Sequence, residues 1–502
     1  MATPFFNQEF TFTQPDGTTL QVKGSGNQFH ATFETLDGFT VIKDPVSGFF
    51  QYANLEFDEL KPSGIIPEKA NPNLLGFSKK LRSSPEVNRS MVYSSTGLTP
   101  GKTRWQTRIE ERKAQLVKSA LSDGPLLAPP TRETVGKFIG LCLLIQFPDV
   151  PGTITAKEVD DFCNKRGYSN YGNNGSVYDY FYDVSAKKLE YNNIIAPYYT
   201  AKNPRSYYTD PKVNQSIRAR ELILEALNHH KNNGFDFKRL TSDSQNYVYA
   251  INVFYSGEVV NNWAEGLWPH CYSLSSPFQL ASGKNAYDYQ ITNMGQQLSL
   301  GTFCHENGHM ICDFPDLYDY GNESSGIGHF CLMCGGNNAD PKNPVEVGGY
   351  LKYKAGWTDI LHHLDNGMKG KFSSKNEFYI KRKNNAEYFI IENRVQSARD
   401  KALPDEGLAV WHIDELGSNH NEQMLPDYHY ECSLIQADNR FDLESRKWHP
   451  GDKDDLFKTG SFGPSTSPDS NWWDGSSSQL EIKNIKKVGS NIDFDVTIHP
   501  LT

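Results

Sequence analysis

The residues best suited to chemistry in this chain are His305, Glu306 and His309, spaced as His305-Glu306-Asn307-Gly308-His309. On a helix, side chains four apart stand on one face, about 6 Å apart along the axis. Two imidazoles at that spacing can share one tetrahedral ion, and zinc is the ion that suits them. The carboxylate beside the first histidine then points near the open metal position, where it can take a proton from water and pass it to a leaving amine. Zinc would lower the pKa of that water to roughly 7 and polarise the carbonyl under attack. Gly308 costs a helix about 1 kcal/mol relative to alanine, so its presence predicts close packing beside the metal.

A third protein ligand is needed, leaving one position for water. The run from Met310 to Tyr320 offers carboxylates soon after His309, and Pro315 ends the helix and turns the chain. Such a turn can bring Asp316 back toward the ion. Asp313, Asp319 and His329 compete for the role, and Asp313 and Asp319 read equally well as helix-end or turn residues. Tyr318 and Tyr320 could hydrogen-bond an oxyanion, although packing is the commoner use of a tyrosine. His412 reads as a strand residue, His229-His230 as flanking a helix C-terminus, and Trp472-Trp473 as core. Asp438, Asp442, Asp452, Asp454 and Asp455 crowd one loop, and such carboxylates repel unless solvated or bridged by a cation.

The elements that must position these residues can be read from pattern. At 502 residues the chain is too long for one ordinary core and predicts roughly two to four domains. Residues 1–82 read as a small β module, with alternating runs around Pro15-Asp16-Gly17 and again around Asp37-Gly38. Residues 83–135 turn to Ser, Pro, Thr and charge around one helix-compatible run, RWQTRIEERKAQLVKSAL, a linker open to proteolytic nicking. Residues 136–365 look mixed α/β: a buried strand from Phe138 to Phe147, several amphipathic helices, a possible edge strand in WPHCYSLSS, and then the motif helix. Residues 366–502 return to short strands and predict a β-sandwich-like C-terminal domain. The fold class expected is therefore α+β and multidomain.

Composition narrows the function. A net charge of −10 excludes nucleic acid as the main partner, because no basic excess is available to neutralise phosphates. No apolar stretch is long enough to cross a bilayer. The N-terminus has neither a basic n-region nor an apolar h-region, so no secretion signal is visible. Of the eight cysteines, Cys304, Cys312, Cys331 and Cys334 cluster around the motif helix. Oxidised, they would staple that helix to the following loop; reduced, they would serve as small buried hydrophobes. Disulfides are the expectation.

The run CHENGHMICDFPDLYDYG, followed by GIGHFCLMCGG, resembles the immune-inhibitor-A-like metallopeptidases, which belong to the metzincin-like zincins. The resemblance extends to LLIQFPD, GSVYDYFYDVS, KYKAGW, EYFIIENR, GLAVWHIDE and SFGPSTSPDSNWWDG, and to LDGFTVIKD and QYANL near the N-terminus. It implies a zincin-type catalytic domain, Asp316 as third zinc ligand, Glu306 as general base, and Met333 as an apolar floor that packs beneath the metal. It also implies secretion, structural calcium, and an N-terminal pro-segment. The usual pattern has Gly three residues after the second histidine and Asp six after it. Here Cys312 stands at the first position and Asp316 lies seven after His309. One extra residue in the turn accommodates this if Asp313 takes the backbone conformation that a glycine would supply. No cysteine precedes Cys142, so latency would have to come from occlusion or from another residue. The expected activity is zinc-dependent endopeptidase action on polypeptides; the alternative is a zinc-binding interaction or adhesion protein that has lost catalysis.

Overall fold

A computed structural model describes residues 4–27, 29–84, 86–88, 90, 102–120, 133–321, 323–445 and 449–500. The chain is a mixed α+β protein with four sheets among these residues. Much of the linker expected to be nickable, residues 91–101 and 121–132, lies outside them.

Strands β1 (Phe5–Thr13), β2 (Thr19–Gly26), β3 (Ala31–Thr35), β4 (Thr40–Lys43), β5 (Phe50–Glu56) and β6 (Glu59–Pro62) form one antiparallel sheet in sequence order. The β1–β2 hairpin closes at Gln14–Gly17, where the Gly17 N–H donates to the Gln14 carbonyl. Period-two alternation sends Phe12, Leu20, Val22, Phe33, Val41 and Tyr52 to one small core, and Trp263 from the next layer packs against it.

After α1 (Arg104–Ala120) the chain enters a mixed sheet. Its elements are β7 (Gly136–Gln146), α2 (Ala156–Asn164), α3 (Val177–Val184), β8 (Leu189–Ile195), β9 (Tyr199–Thr200), α4 (Gln215–Asn232), β10 (Ile251–Tyr255), β11 (His270–Ala281) and β12 (Lys284–Asn293). The order is β11-β12-β10-β7-β8, with β9 also on β7. β10, β7, β8, β9 and β12 pair in parallel, while β11 runs antiparallel at the edge. A parallel strand covered on both faces should be continuously apolar, and β7 is. Leu141, Leu143 and Ile145 meet Leu222, Ile223 and Leu227 of α4. Cys142 and Leu144 turn to the opposite core, shared with α2, α3 and the motif helix α5 (Leu300–Cys312). Thr155 caps α2, and a Ser176–Asp179 capping box starts α3.

The helix α6 (Gly349–Lys354) leads to the C-terminal sheets. One has the order β13 (Ile360–His363), β15 (Glu377–Arg382), β16 (Glu387–Arg394), β17 (Gly407–Asp414), β18 (Cys432–Leu434). The other has the order β14 (Lys369–Gly370), β21 (Asn491–Ile498), β20 (Leu480–Val488), β19 (Thr459–Phe462). They stack face to face through Phe389, Ile391, Val410, Ile482 and Phe494. The other face of the first sheet, with Phe378, Ile390, Trp411 and Ile413, joins the core of α5. The C-terminal strands therefore share a continuous core with the motif helix, and their first sheet begins at Ile360, ahead of the boundary expected at residue 366.

The expected disulfides do not form: all eight cysteines are free and buried. Their side chains face different surroundings. Cys304 lies near Cys163, which shares a thiol hydrogen bond with Cys142 on β7. The Cys331 sulfur accepts from the Met333 N–H, and the Cys334 thiol donates to the Ser325 carbonyl. No described helix is long and apolar enough to cross a membrane.

Candidate metal centre

Every residue of α5 but Thr302 is buried, so its roll is set by packing and by one polar clamp. Asn307, fully buried, donates to Asn252 Oδ1 on β10 at 2.9 Å and accepts from Tyr191 Oη on β8 at 2.6 Å. This bolts one side of the helix to the sheet and turns His305 and His309 the other way. Gly308 has no room for a side chain: a Cβ there would lie 2.8 Å from Met333 Sδ. The close packing predicted for this glycine is therefore against Met333, whose loop passes beneath the helix. The helix ends at Asp313, which adopts the left-handed conformation at φ 56° and returns its N–H to the Gly308 and His309 carbonyls. That is the backbone role anticipated for it, and it lets the chain turn through Phe314 and Pro315 to Asp316.

The turn brings three donor atoms together. His305 Nε2 lies 3.0 Å from Asp316 Oδ1, His309 Nε2 lies 3.2 Å from the same oxygen, and the two Nε2 atoms are 3.2 Å apart. The far side of each ring is fixed by a carbonyl: His305 Nδ1 is 2.9 Å from Leu332 O, and His309 Nδ1 is 2.6 Å from Phe314 O. A carbonyl only accepts, so both Nδ1 atoms carry the proton and both Nε2 atoms present lone pairs inward when the rings are neutral. Tyr320 Oη donates to Asp316 Oδ2 at 2.6 Å and orients the carboxylate. Three electron-rich atoms this close repel unless a proton or a cation sits among them. Without a cation, burial opposes the charged ring of His309, but Asp316 outweighs it and holds that imidazole at about 9. Burial also pushes Asp316 up, and the two imidazoles override it and pull the carboxyl far below the usual range.

Glu306 sits beside this cluster and is only 2% exposed. Burial pushes its pKa up, against the pull of the two imidazoles, and its Oε1 has no hydrogen-bond partner. The Cys271 thiol, on edge strand β11, hydrogen-bonds the same carboxylate. Two further contacts cover the site. Trp105 of α1 stacks on His309, with ring centroids 4.4 Å apart and planes 18° apart. From the N-terminal sheet, Asn27 donates to the Tyr320 carbonyl at 3.1 Å and Phe29 packs on the Tyr320 ring at 4.8 Å.

The competing ligands are elsewhere. Asp313 pairs with Arg108 at 2.7 Å, Asp319 accepts from the backbone of Gly321, Glu323 and Ser324, and burial lowers His329 to about 4 away from the cluster. Tyr318 is buried packing. His412 is a strand residue bonded to Glu387, and His229 and His230 close the last turn of α4. Trp472 is core, while Trp473 is sandwiched between His412 and His429. In the acidic loop, Asp438, Asp452 and Asp455 converge, as do Asp442, His449 and Asp452; Asp454 belongs to neither group. Burial, with Asp452 and Asp438 nearby, pushes Asp455 up to about 7 against one backbone hydrogen bond. Arg440 already pairs with Asp438 and Asp452 there.

No protein-family model matches this sequence, and no curated protein matches it either.

Sequence reasoning missed Asn307, Trp105 and Cys271. Asn307 occupies a variable position of the motif, Trp105 lies some 200 residues away in a segment that reads as linker, and Cys271 is one small residue in an edge strand. None carries a local signal of its role.

Proposed function

We propose that this chain is a zinc-dependent endopeptidase with a zincin-type catalytic domain, related to the immune-inhibitor-A-like metallopeptidases. The observation that carries the reading is the convergence of His305 Nε2, His309 Nε2 and Asp316 Oδ1 within 3.2 Å, with a buried carboxylate beside them. Two neutral imidazoles and one carboxylate are a donor set that suits zinc and leaves a position open. Their outer hydrogen bonds, to Leu332 O, Phe314 O and Tyr320 Oη, are the supports such ligands require. Zinc held there would supply a Lewis acid for the scissile carbonyl and a nucleophilic water near neutral pH.

The rest of the work falls to the chain. Glu306 takes a proton from the attacking water onto a carboxylate oxygen and returns it to the departing amide nitrogen, so no covalent intermediate forms. Its raised pKa suits both halves of that transfer. An extended polypeptide substrate would be laid along an edge strand beside the cleft, β11 being at the end of its sheet. The N-terminal sheet, through Asn27 and Phe29, would hold the full chain latent by covering Tyr320, in keeping with a pro-segment. Structural calcium would be held by Asp438, Asp452 and Asp455. Secretion belongs to the same reading. An intact Glu306 in contact with the cluster disfavours a purely adhesive role.

The test is metal content together with casein hydrolysis, before and after limited proteolysis, with and without chelator. One zinc per chain and chelator-sensitive hydrolysis are expected. Absence of zinc uptake, or hydrolysis that survives Glu306→Ala, would overturn the proposal.

A further inference from the structure

We infer that Trp105 is a positioning residue of the metal centre, and that α1 is a working part of the site although it lies in a segment that reads as linker. The inference rests on the zinc reading above. Each imidazole must keep its plane as well as its place, because rotation about Cβ–Cγ swings Nε2 away from the shared point. A hydrogen bond from Nδ1 restrains one edge of the ring; a flat surface against its face blocks the rotation itself. His305 has the first kind of restraint from Leu332 O and lies fully buried in the helix–loop interface. His309 has the bond to Phe314 O, and on its face it has the Trp105 indole at 4.4 Å, nearly parallel. Trp105 is itself buried, at 8% exposure, so the stack is shielded from water.

The helix carrying Trp105 is fastened to the catalytic layer by its first turns and to the C-terminal strands by the next. The Arg104 N–H donates to both oxygens of Asp288 on β12, at 2.9 and 2.8 Å. Arg108 pairs with Asp313, the residue that ends α5, and with Asp243. Arg112 pairs with Glu415, and Lys113 with Glu431 and the Gly417 carbonyl. Arg108 and Arg112 are largely removed from solvent, and their partners are buried further still. A charged pair in that setting is strongly disfavoured from opening one partner at a time. These ties hold the indole over His309 and couple α1 to the turn that delivers Asp316.

The experiment uses the full-length chain and reads metal binding, not turnover. Zinc affinity is measured by chelator competition for wild type, Trp105→Ala and Trp105→Phe. Loss of a ligand's support typically costs about 10- to 100-fold in metal affinity, and that loss is expected for Trp105→Ala. Trp105→Phe keeps a flat ring over His309 and should restore the wild-type value. A second readout is independent of whether the alanine variant folds. The emission of wild type minus that of Trp105→Phe isolates Trp105 among the eight tryptophans. Paramagnetic cobalt bound at the site should quench that difference strongly. If the alanine variant binds zinc as tightly as wild type, or cobalt leaves the difference emission unchanged, the positioning role is wrong while the zinc site stands. If wild type takes up neither metal, the zinc reading itself has failed, and this inference falls with it.

Discussion

Of the four groups of side chains among the described residues that could hold a cation, two are built on clearly different principles. His305, His309 and Asp316 hang on a buried helix and the turn that follows it; each donor has its outer side tied to a carbonyl or a tyrosine. Asp438, Asp452 and Asp455 lie on an irregular loop, and a partly exposed arginine already shares two of the three. The first arrangement holds its donors converged from the outside, and without a cation a proton on His309, kept there by Asp316, relieves their repulsion. The second relieves its repulsion by local adjustment: Asp455 moves toward neutrality and Arg440 supplies charge. Donor chemistry alone therefore does not distinguish a reactive metal site from a crowded surface loop. What distinguishes them is how firmly the supporting structure refuses to let the donors separate.

The largest expected effect concerns Glu306, which has no counterpart in the acidic loop. Glu306→Ala should lower kcat/KM on casein by about 10²- to 10⁴-fold, the range for loss of a general base. Zinc content should stay near one per chain, because Glu306 is not among the converging donors. Zinc loss in this variant would make the carboxylate a ligand and would place the open position elsewhere.

A smaller effect is expected where the helix site meets the N-terminal β module. Asn27→Ala combined with Phe29→Ala removes a hydrogen bond and an aromatic contact to Tyr320. Each is worth roughly 1 kcal/mol, so basal hydrolysis by the uncut chain should rise by about 30-fold. Unchanged activity would mean that these contacts fasten the sheet without gating the site.

Much of this was legible in the residues and some was not. The buried strand β7 follows from its continuous apolar run, which states directly that both faces must be covered, and the motif helix from the spacing of His305 and His309. Asp316 was one of four candidates on sequence grounds; the left-handed residue at 313 separates them, and a short polar residue at a helix end permits that conformation without announcing it. The disulfide expectation failed because four cysteines near in sequence point to different neighbours once α5 and its loop are packed. Trp105 was invisible for the opposite reason: its partner is 204 positions away, and no local rule reports a long-range stack.

The rigidity claimed for the helix site can be tested at Gly308. Alanine is favoured over glycine by about 1 kcal/mol in a helix, but its Cβ would lie 2.8 Å from Met333 Sδ. Overpacking a filled core costs about 1 to 3 kcal/mol, so Gly308→Ala should destabilise by up to roughly 2 kcal/mol in urea unfolding. In a Met333→Ala background the obstruction is gone, and the same substitution should become stabilising by about 1 kcal/mol. A sign that fails to reverse would mean the loop beneath the helix yields freely, and the contrast with the acidic loop would lose its basis.

The smallest effect belongs to the acidic loop, and it has a definite sign. Asp455 is held at about 7 in the folded chain, chiefly by burial, against an ordinary value of 3.8. A carboxyl whose folded pKa is raised binds its proton more tightly when folded, so its contribution to stability is full below the unfolded value and is lost as pH rises through the folded one. The Asp455 share of stability in chelator, read as wild type minus Asp455→Asn, should therefore decline between about pH 4 and pH 7. Asp288 and Glu444, also raised to about 7 by burial, add slope of the same sign, while His230, His270 and His329, each lowered to about 4 by burial, add the opposite slope; these are common to wild type and Asp455→Asn and cancel in the difference. Of the three raised carboxyls only Asp455 converges with Asp438 and Asp452, so added calcium should flatten wild type toward the Asn variant. If calcium changes neither curve, the loop manages its charge with protons and Arg440, and the converged donors on α5 remain as the better cation site of the two.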